Sequence, residues 1–579
     1  MTAPRRNLAP TRRRVIAGAA AALAMPAIRG ASGAAPYFKL YFMIPNNQAA
    51  RMAWGTLSAR QFAALGIEVI PSYVPFSAIY PRRNKGDGKT YPDGGWDAYL
   101  ERYYYSSLKS TPNSLFSSKV LPPAGQNYYY VEDPVLDRQL DAYAGSTDPA
   151  AQDSAIKAFQ RRWLETEPLT ILFYPEDIIA VNPKLSGLDA TTFRPAFYPR
   201  PENWTIAGAG ADASAAFACW PPPDSLYPPF GQGYQDSNVA GPVYNQLLEY
   251  DSWEKKQLQP ALAASVEHST DGRHWVINLR PGVAWHSGEP FTAADVKFTF
   301  DTILNPAVAS DNRAILLDVF GGPDAYKVTG PLQLTIDLPR YSMMMREFVL
   351  SAVAILPLHA YADIRPEQLR SHSVNTWRAP WTVKTSKGSY TSKGAIGTGA
   401  WICGGFDPVR KSYSYTKNPN YWQKTAGNVA TYYHVNINGT DAVLAALKSG
   451  EIDAHDPMYD VGPLSKTIDA AWGRIERFDS FKWQHICYNL RHPVFGTGVD
   501  TPLGKQDPGR AAEAAAYIRR AFSLAIPRQE IINQMAGGFG QPGTVPIPFS
   551  APEYDHTGNK PIPFDMDLAK QMLARAGYS

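Results

Sequence analysis

The chain has 579 residues, 45% of them apolar and 19% charged, so it is long enough for two or more domains with sizeable cores. Its formal charge is +4, but residues 1–35 carry six arginines and no acid, and subtracting those six leaves the rest near −2. That balance gives no support to a nucleic-acid partner, and the 50 prolines argue against a long coiled coil.

The N-terminal segment has the composition of an export signal. Thr11–Ile16 (TRRRVI) places paired arginines before an Ala-rich apolar run, and small residues follow at 30–35. The pattern predicts a cleaved signal over residues 1–35 that is similar to a twin-arginine signal, with a general secretory signal as the alternative. No later segment holds about 18 uninterrupted apolar residues, so we expect a periplasmic protein without a membrane-spanning helix.

The first third of the chain predicts helix–strand units of an α/β sheet. Residues 37–45 are typical of a buried strand, and 58–74 of a helix followed by a strand. Helices are predicted over 134–167 and one or two strands over 169–181. The Pro-, Gly- and Ala-rich residues 199–216 predict a linker.

Helices and alternating strands are also predicted in the rest of the chain. Residues 241–251 predict a short helix entering a strand, and 274–285 alternate like a half-buried strand. Residues 291–304 predict a helix with Thr292 as its N-cap. Further helices are predicted at 441–450, at 511–538 with a break at Pro527, and at 565–577 with a Gly577 cap.

These elements carry a family resemblance. The stretch DGRHWVINLRPGVAWHSGEPFTAADV (271–296) is similar to the signature of extracellular solute-binding proteins, family 5, the dipeptide, oligopeptide and nickel class. Four more segments resemble that family in its own order: 397–422, 444–453, 486–495 and 518–532. The resemblance implies an α/β, two-lobe periplasmic-binding-protein fold (type II, large peptide-binding class), with a ligand cleft and a hinge between the lobes.

The order of the motifs departs from the family. Residues 127–140, 161–188 and 197–206 resemble the family's C-terminal part, yet here they precede its N-terminal signature. The resemblance therefore implies a circular permutation whose family order is 207–579 followed by 36–206.

The permutation predicts how the lobes divide. Lobe one is expected over 175–481, and lobe two over 482–579 together with 36–174, with hinge crossovers near 175 and 481. Pro36 and Ser579 are then expected to lie close together, with strand 37–45 in the sheet that the last helix covers.

The family resemblance implies a receptor for an ABC importer. Its lobes close on a peptide-like or oligosaccharide-like solute and present it to a membrane permease. We expect a monomer without catalytic residues, metal or cofactor. An exported hydrolase and a sensory binding protein remain as alternatives, but the sequence has no HExxH, GxSxG or GxxxxGK[ST] motif.

The expected solute contact in lobe two lacks a charge found in the family. Peptide binders of this family hold the α-ammonium group with an Asp in a GWxxDxxDP stretch. The matching residues 103–116 (YYYSSLKSTPNSLF) contain no acid, and Leu108 falls on the Asp position. We therefore expect a blocked peptide or an oligosaccharide to contact Tyr104, Tyr105 and Ser107, the alternative being that these tyrosines belong to the core.

The remaining candidates come from family position. They are Asn127, which also suits a turn; Tyr234, Asp236 and Ser237 in a loop of lobe one, where Asp236 could replace the missing anchor or cap a helix; and Trp483, His485 and Asn489 on one strand. His485 and Cys487 share a strand face, but two ligands at strand spacing are weak support for a metal. With no CxxC pair and only three cysteines, the sequence predicts no structural zinc site.

Overall fold

The computed structural model describes residues 23–24, 27–28, 35–46, 48–104, 109, 111–123, 125–188, 200–219, 241–250, 257–376, 379–478 and 480–578. The α-helices of these residues are Ala49–Ala64, Phe76–Lys85, Thr111–Phe116, Pro134–Gly145, Pro149–Thr166, Ala293–Leu304, Arg313–Phe320, Leu358–Tyr361, Pro366–Thr376, Thr440–Ser449, Pro502–Gln506, Ala511–Leu524, Arg528–Met535 and Met566–Arg575. Among the described residues, no helix is both long and apolar enough to cross a bilayer.

The strands are, in chain order, β1 Leu23–Ala24, β2 Lys39–Pro45, β3 Glu68–Val74, β4 Ala98–Tyr104, β5 Thr170–Pro175, β6 Asp177–Val181, β7 Leu185–Ser186, β8 Thr205–Ile206, β9 Ala213–Cys219, β10 Leu248–Tyr250, β11 Leu258–Pro260, β12 Ala263–His268, β13 His274–Leu279, β14 Tyr326–Gly330, β15 Gln333–Asp337, β16 Trp381–Thr385, β17 Gly388–Ser392, β18 Trp401–Asp407, β19 Ser412–Lys417, β20 Val429–Asn436, β21 Ala454–His455, β22 Arg474–Phe478, β23 Lys482–Tyr488 and β24 Gly540–Pro542.

Two mixed sheets of seven strands each organise the molecule. The first sheet has the order β1-β3-β2-β4-β23-β5-β24, and the second has the order β18-β19-β20-β9-β21-β6-β22. The chain passes from the first sheet to the second at Glu176, between β5 and β6, and returns between Phe478 and Lys482. A four-stranded antiparallel sheet, β12-β13-β15-β14, carries the motif residues that begin at Asp271.

Helices cover the first sheet on both faces. On one face Phe62 lies 4.5 Å from Phe522, ring centre to ring centre, so helices Ala49–Ala64 and Ala511–Leu524 pack over the strands together. On the other face Phe116 packs edge-on against Trp163 at 4.8 Å. Because strand side chains alternate between faces, neighbouring residues of β4 and β23 enter two different cores.

Several helix ends confirm the sequence predictions. Thr292 and Asp295 form a reciprocal capping box at the start of helix Ala293–Leu304. Gly450 ends helix Thr440–Ser449 in the left-handed conformation at φ +78°, and Pro527 separates two helices as expected. These signals are local, which is why the sequence alone places them correctly.

Two predicted elements were wrong. The supposed linker 199–216 contains most of β9, which lies inside the second sheet between β20 and β21. The predicted helix within 241–251 is instead a turn followed by β10. The carbonyl of Val243 in this turn accepts a hydrogen bond from the Gly399 amide at 2.8 Å, and in a helix that carbonyl would bond within the helix instead.

The residues near both ends of the described chain meet at the first sheet. The ring of Tyr578 lies 5.2 Å from that of Tyr37 and 5.6 Å from that of Phe38. Helix Met566–Arg575 buries Met572 and Leu573 in the same core as Leu40 of β2. Ser579 lies outside the described residues.

Candidate functional site

The candidate site is built on β4 and β23, which are neighbours although about 380 residues separate them. Their antiparallel register pairs Tyr103 with Trp483 and Glu101 with His485. All four side chains therefore share one face of the sheet. The structure thus brings two predicted residues, Trp483 and His485, against Tyr103 and Glu101.

An aromatic pair occupies the end of these strands nearest the crossovers. The rings of Tyr103 and Trp483 lie 5.0 Å apart and are tilted by 30°. Trp483 is fully buried, while Tyr103 is half-buried. Tyr104 is the last residue of β4 and its backbone pairs with Lys482. The end of β4 therefore lies beside the start of β23, where the chain returns from the second sheet.

Behind the aromatic pair lies a buried polar group. Glu101 accepts hydrogen bonds from Tyr99 at 2.9 Å and from Tyr129 at 3.2 Å, and it pairs with Arg83 at 3.0 Å. His485 is fully buried, and this burial lowers its pKa to about 4 against the opposing effect of Glu101. The imidazole is therefore neutral at physiological pH.

Two of the predicted contacts use their side chains within the fold. The Asn127 amide donates to the carbonyls of Ser117 and Val131, and its oxygen accepts from the Val131 backbone. The Asn489 amide donates to three carbonyls in the loop at 88–96. Both side chains are fully buried, and they hold turns in this conformation. The turn role left open for Asn127 is the one this geometry supports.

The other predicted contacts cannot be located. Tyr105, Ser107, Tyr234, Asp236 and Ser237 lie outside the described residues. Tyr104 is described only through its backbone. Their contribution to a solute site stays a prediction.

Charged side chains bridge the two large sheets beside the crossovers. Arg102 of β4 pairs with Asp460, which follows β21, at 2.9 Å. Lys482 of β23 contacts Asp177 of β6. Burial, assisted by Arg102, lowers the pKa of Lys482 well below its usual value. The basic side chains of Arg102 and Lys482 thus each contact a carboxylate from the part of the chain that forms the second sheet.

An open cavity adjoins these ion pairs. Its walls come from both sheets and include Arg102, Glu176, Asp460, Lys482 and Gln484. A cavity that is formed by two sheets and two chain crossovers changes shape when one sheet moves relative to the other.

The sequence analysis missed Glu101, Arg102 and Asp460. One signal was available: Glu101 and Arg102 form a charged pair inside the otherwise apolar and aromatic strand β4, which leads directly into the tyrosine segment. A charged side chain in the middle of a buried strand requires a polar or charged partner, so these two residues could have been chosen as candidates from the sequence. No local pattern identifies Asp460.

Two α/β sheets with paired crossovers and a shared cavity define a class of hinged binding proteins. The chain matches the family model described as bacterial extracellular solute-binding proteins, family 5 middle, over residues 257–579. That match covers more than half of the chain, so the chain belongs to the family-5 extracellular solute-binding proteins.

The chain is also similar to curated proteins and to a solved structure. Protein XP55 of Streptomyces lividans is 27% identical over 374 residues, which are 64% of this chain and 58% of that protein. The nickel-binding periplasmic protein of Escherichia coli is 26% identical over 341 residues, 58% of this chain and 56% of that protein. The oligopeptide-binding protein AppA of Bacillus subtilis, solved with a nonapeptide, is 18% identical over 64% of this chain and 65% of that one, with a TM-score of 0.48.

The chain spans somewhat more than half of the length of these curated relatives, 58% of the first and 56% of the second.

Proposed function

We propose that the chain is the periplasmic receptor of an ABC importer, which captures a solute by lobe closure and delivers it to a membrane permease. Membership of the solute-binding family supports this proposal. The observation that carries it is the arrangement at the crossovers: the chain changes sheets at Glu176 and between Phe478 and Lys482, beside a cavity with walls from both sheets. Such a connection can act as a hinge while each sheet keeps its own core.

We further propose lobe one over 175–481 and lobe two over 482–579 and 36–174, in circularly permuted order. The crossovers at Glu176 and before Lys482 support these limits. The contact of Tyr578 with Tyr37 supports a native connection between these two chain regions. Permutation is tolerated where the joined ends are close and the new break is exposed.

A reordered chain tests this part of the proposal. Residues 207–579, continued directly by 36–206, should fold and bind the same solute as the original chain. The melting temperature and solute affinity of both chains would be compared. A reordered chain that stays unfolded, while the original is folded and binds, contradicts the permutation.

The solute is proposed to be a blocked peptide or an oligosaccharide. Residues 103–116 contain no acid that could pair with a free α-ammonium group. A charge-assisted hydrogen bond contributes roughly 1.5–3 kcal/mol, so a free-amine dipeptide would lose its main anchor. Tyr103, which is half-buried at the end of β4 and packs on the buried Trp483, supports an aromatic surface suited to sugar rings or apolar side chains.

A thermal-shift screen followed by calorimetry tests the function. Matched dipeptides with free and acetylated N-termini, cello- and xylo-oligosaccharides, and metal chelates would be screened on the purified mature protein. A ligand at a hundredfold excess over Kd stabilises by about 2.7 kcal/mol, which is a visible shift. We expect one-to-one binding with the solute recovered intact by mass spectrometry. Cleavage of the solute would support a hydrolase, and a response to free-amine dipeptides alone would contradict the solute class.

A further inference from the structure

Three possible metal donors lie on the face of β4 and β23 that also carries Tyr103 and Trp483. His485 and Cys487 are two residues apart on β23, and Glu101 of β4 lies directly opposite His485. Their side chains are buried, with relative exposures of 6% for Glu101 and 0% for the other two. Carboxylate, imidazole and thiol groups therefore meet in one dry space that two distant parts of the chain create.

The spacing of the donor atoms suits a single cation. The Cys487 Sγ lies 3.7 Å from Glu101 Oε2, and His485 Nε2 lies 4.0 Å from the same oxygen. All three donor atoms lie within 4.8 Å of one another. Tetrahedral zinc has bonds of about 2.0–2.3 Å, which put neighbouring ligand atoms roughly 3.3–3.7 Å apart. The two distances to Glu101 Oε2 lie at or just above this range, so the donor atoms would move closer together to bind one ion.

The surroundings hold one of the donors in place. Arg83 and the Tyr99 hydroxyl both bond the Glu101 carboxylate, at 3.0 and 2.9 Å, as outer-shell partners of metal-binding carboxylates do. The Tyr129 hydroxyl lies 3.2 Å from Glu101 and 3.3 Å from His485. A fourth oxygen ligand could therefore come from this hydroxyl or from a water bound to it.

We propose that Glu101, His485 and Cys487 form a resident site for a zinc-class divalent cation inside lobe two. The mixed oxygen, nitrogen and sulfur donors favour Zn²⁺ or Co²⁺ over Mg²⁺ and Ca²⁺, which prefer oxygen ligands. On binding, the Cys487 thiol releases its proton to solvent, and the thiolate forms the metal–sulfur bond. The cation would fasten β4 to β23 and so join the two chain segments of this lobe.

The experiment measures metal binding by the full mature protein. The protein would be loaded with Co²⁺, dialysed, and examined for the near-ultraviolet thiolate-to-cobalt charge-transfer band, while bound zinc is counted by elemental analysis in a parallel sample. We expect about one ion per chain and a clear band. A folded protein that retains neither metal nor band overturns the proposal, because the cluster is then only a hydrogen-bonded network.

Variants assign the sulfur ligand. The double variant Cys219→Ser, Cys403→Ser removes the other two thiols, both buried, and leaves the proposed site untouched, so it should keep the band. Cys487→Ser should lose the band, and Glu101→Gln should weaken cobalt binding roughly tenfold or more. Circular dichroism shows which variants are folded. Loss of the band in the double variant while it remains folded, or its persistence in Cys487→Ser, overturns the assignment.

Discussion

The two large sheets are assembled from the chain in opposite ways. The second sheet draws all its strands from 177–478, whereas the first combines residues 23–175 with 482–542. Joining distant segments costs loop-closure entropy, so a split sheet needs contacts that span the sequence. In the first sheet those contacts include buried arginines that bond backbone carbonyls across the split.

The core of the second sheet is rich in aromatic rings and buried histidines. Its core contains Trp401, Tyr432 and two buried histidines, His434 and His455. Burial lowers the pKa of His434 to about 3 and that of His455 to about 4, so both rings are neutral at physiological pH. The buried arginines are expected to make the first sheet sensitive to loss of positive charge. Protonation of buried histidines is expected to weaken the second sheet through His434 and His455, and the first sheet through His485.

The largest expected effect follows from removing a buried arginine of the first sheet. Arg519 donates to the carbonyls of Thr166, Glu167 and Phe495, at 2.8, 3.0 and 2.6 Å. Burial lowers its pKa to about 10, so it is charged at neutral pH. Arg519→Met leaves those carbonyls without their donor, and we expect a loss of roughly 3 kcal/mol or more in urea unfolding.

The control for this variant lies at the start of the same helix. Arg510 is half-exposed and pairs with Glu513 on the surface. Arg510→Met should change the free energy of unfolding by no more than about 0.5 kcal/mol. Equal losses in the two variants would contradict a special role for the buried arginine.

Acid should weaken the second sheet through His455. Its Nε2 accepts from the Ala180 amide at 2.8 Å, its Nδ1 donates to the Asp456 carbonyl at 2.9 Å, and the ring packs on Tyr459. Because its folded pKa of about 4 lies below the unfolded value, the unfolded chain takes up the proton first. The contribution of the neutral His455 ring to the free energy of unfolding is complete above about pH 6.5. It is lost as the pH falls toward 4, a change of about 3 kcal/mol.

Stability curves measured from pH 7 to pH 4 check this prediction. His455→Gln cannot titrate, so its loss of stability with acid should be smaller than that of the original protein. The exposed His268→Gln serves as the matched substitution. Identical acid profiles for His455→Gln and the original chain would refute the assignment.

A gain-of-function change sharpens the proposal for the solute. Leu108 falls on the family position of the ammonium-binding Asp and lies outside the described residues. Leu108→Asp should raise affinity for a free-amine dipeptide by about tenfold, because a charge-assisted bond is worth at least about 1.4 kcal/mol. Leu108→Asn has nearly the same shape without the charge and should give a much smaller gain. Equal affinities of both variants for the free-amine dipeptide in calorimetry would contradict the expectation that a charge at position 108 binds the ammonium group.

The smallest expected effect concerns the ion pair between the sheets. The Asp460 side chain is 24% exposed and Arg102 only 7%, and Arg102 also lies beside Gln484. Asp460→Asn should therefore cost about 1 kcal/mol and favour an open arrangement of the lobes. Small-angle scattering should show a larger radius of gyration without solute. Asp141→Asn breaks the exposed pair with Lys119 and should leave the radius unchanged. A matching change in that variant would contradict a role of the Arg102–Asp460 pair in holding the lobes together.

Local sequence signals predicted much of the fold and little of the site. The Thr292 capping box, Gly450 and Pro527 each act within a few residues, so their effects could be predicted from the sequence. Strand β9 (ASAAFAC) was missed because its small residues resemble a linker, and its position between β20 and β21 depends on distant strands. Nor does any local pattern give the register that places Glu101 opposite His485.

Motion between the two sheets is the most direct test of a receptor that closes on its solute. Val409 is 89% exposed on a hairpin of the second sheet, and Val499 is 54% exposed after β23 of the first. Cysteines introduced at both positions can be spin-labelled, since the three native cysteines are buried. Pulsed electron resonance should show a distribution of label distances that shifts to shorter values and narrows at saturating solute. An unchanged distribution, with binding verified by calorimetry in the same sample, would contradict lobe closure.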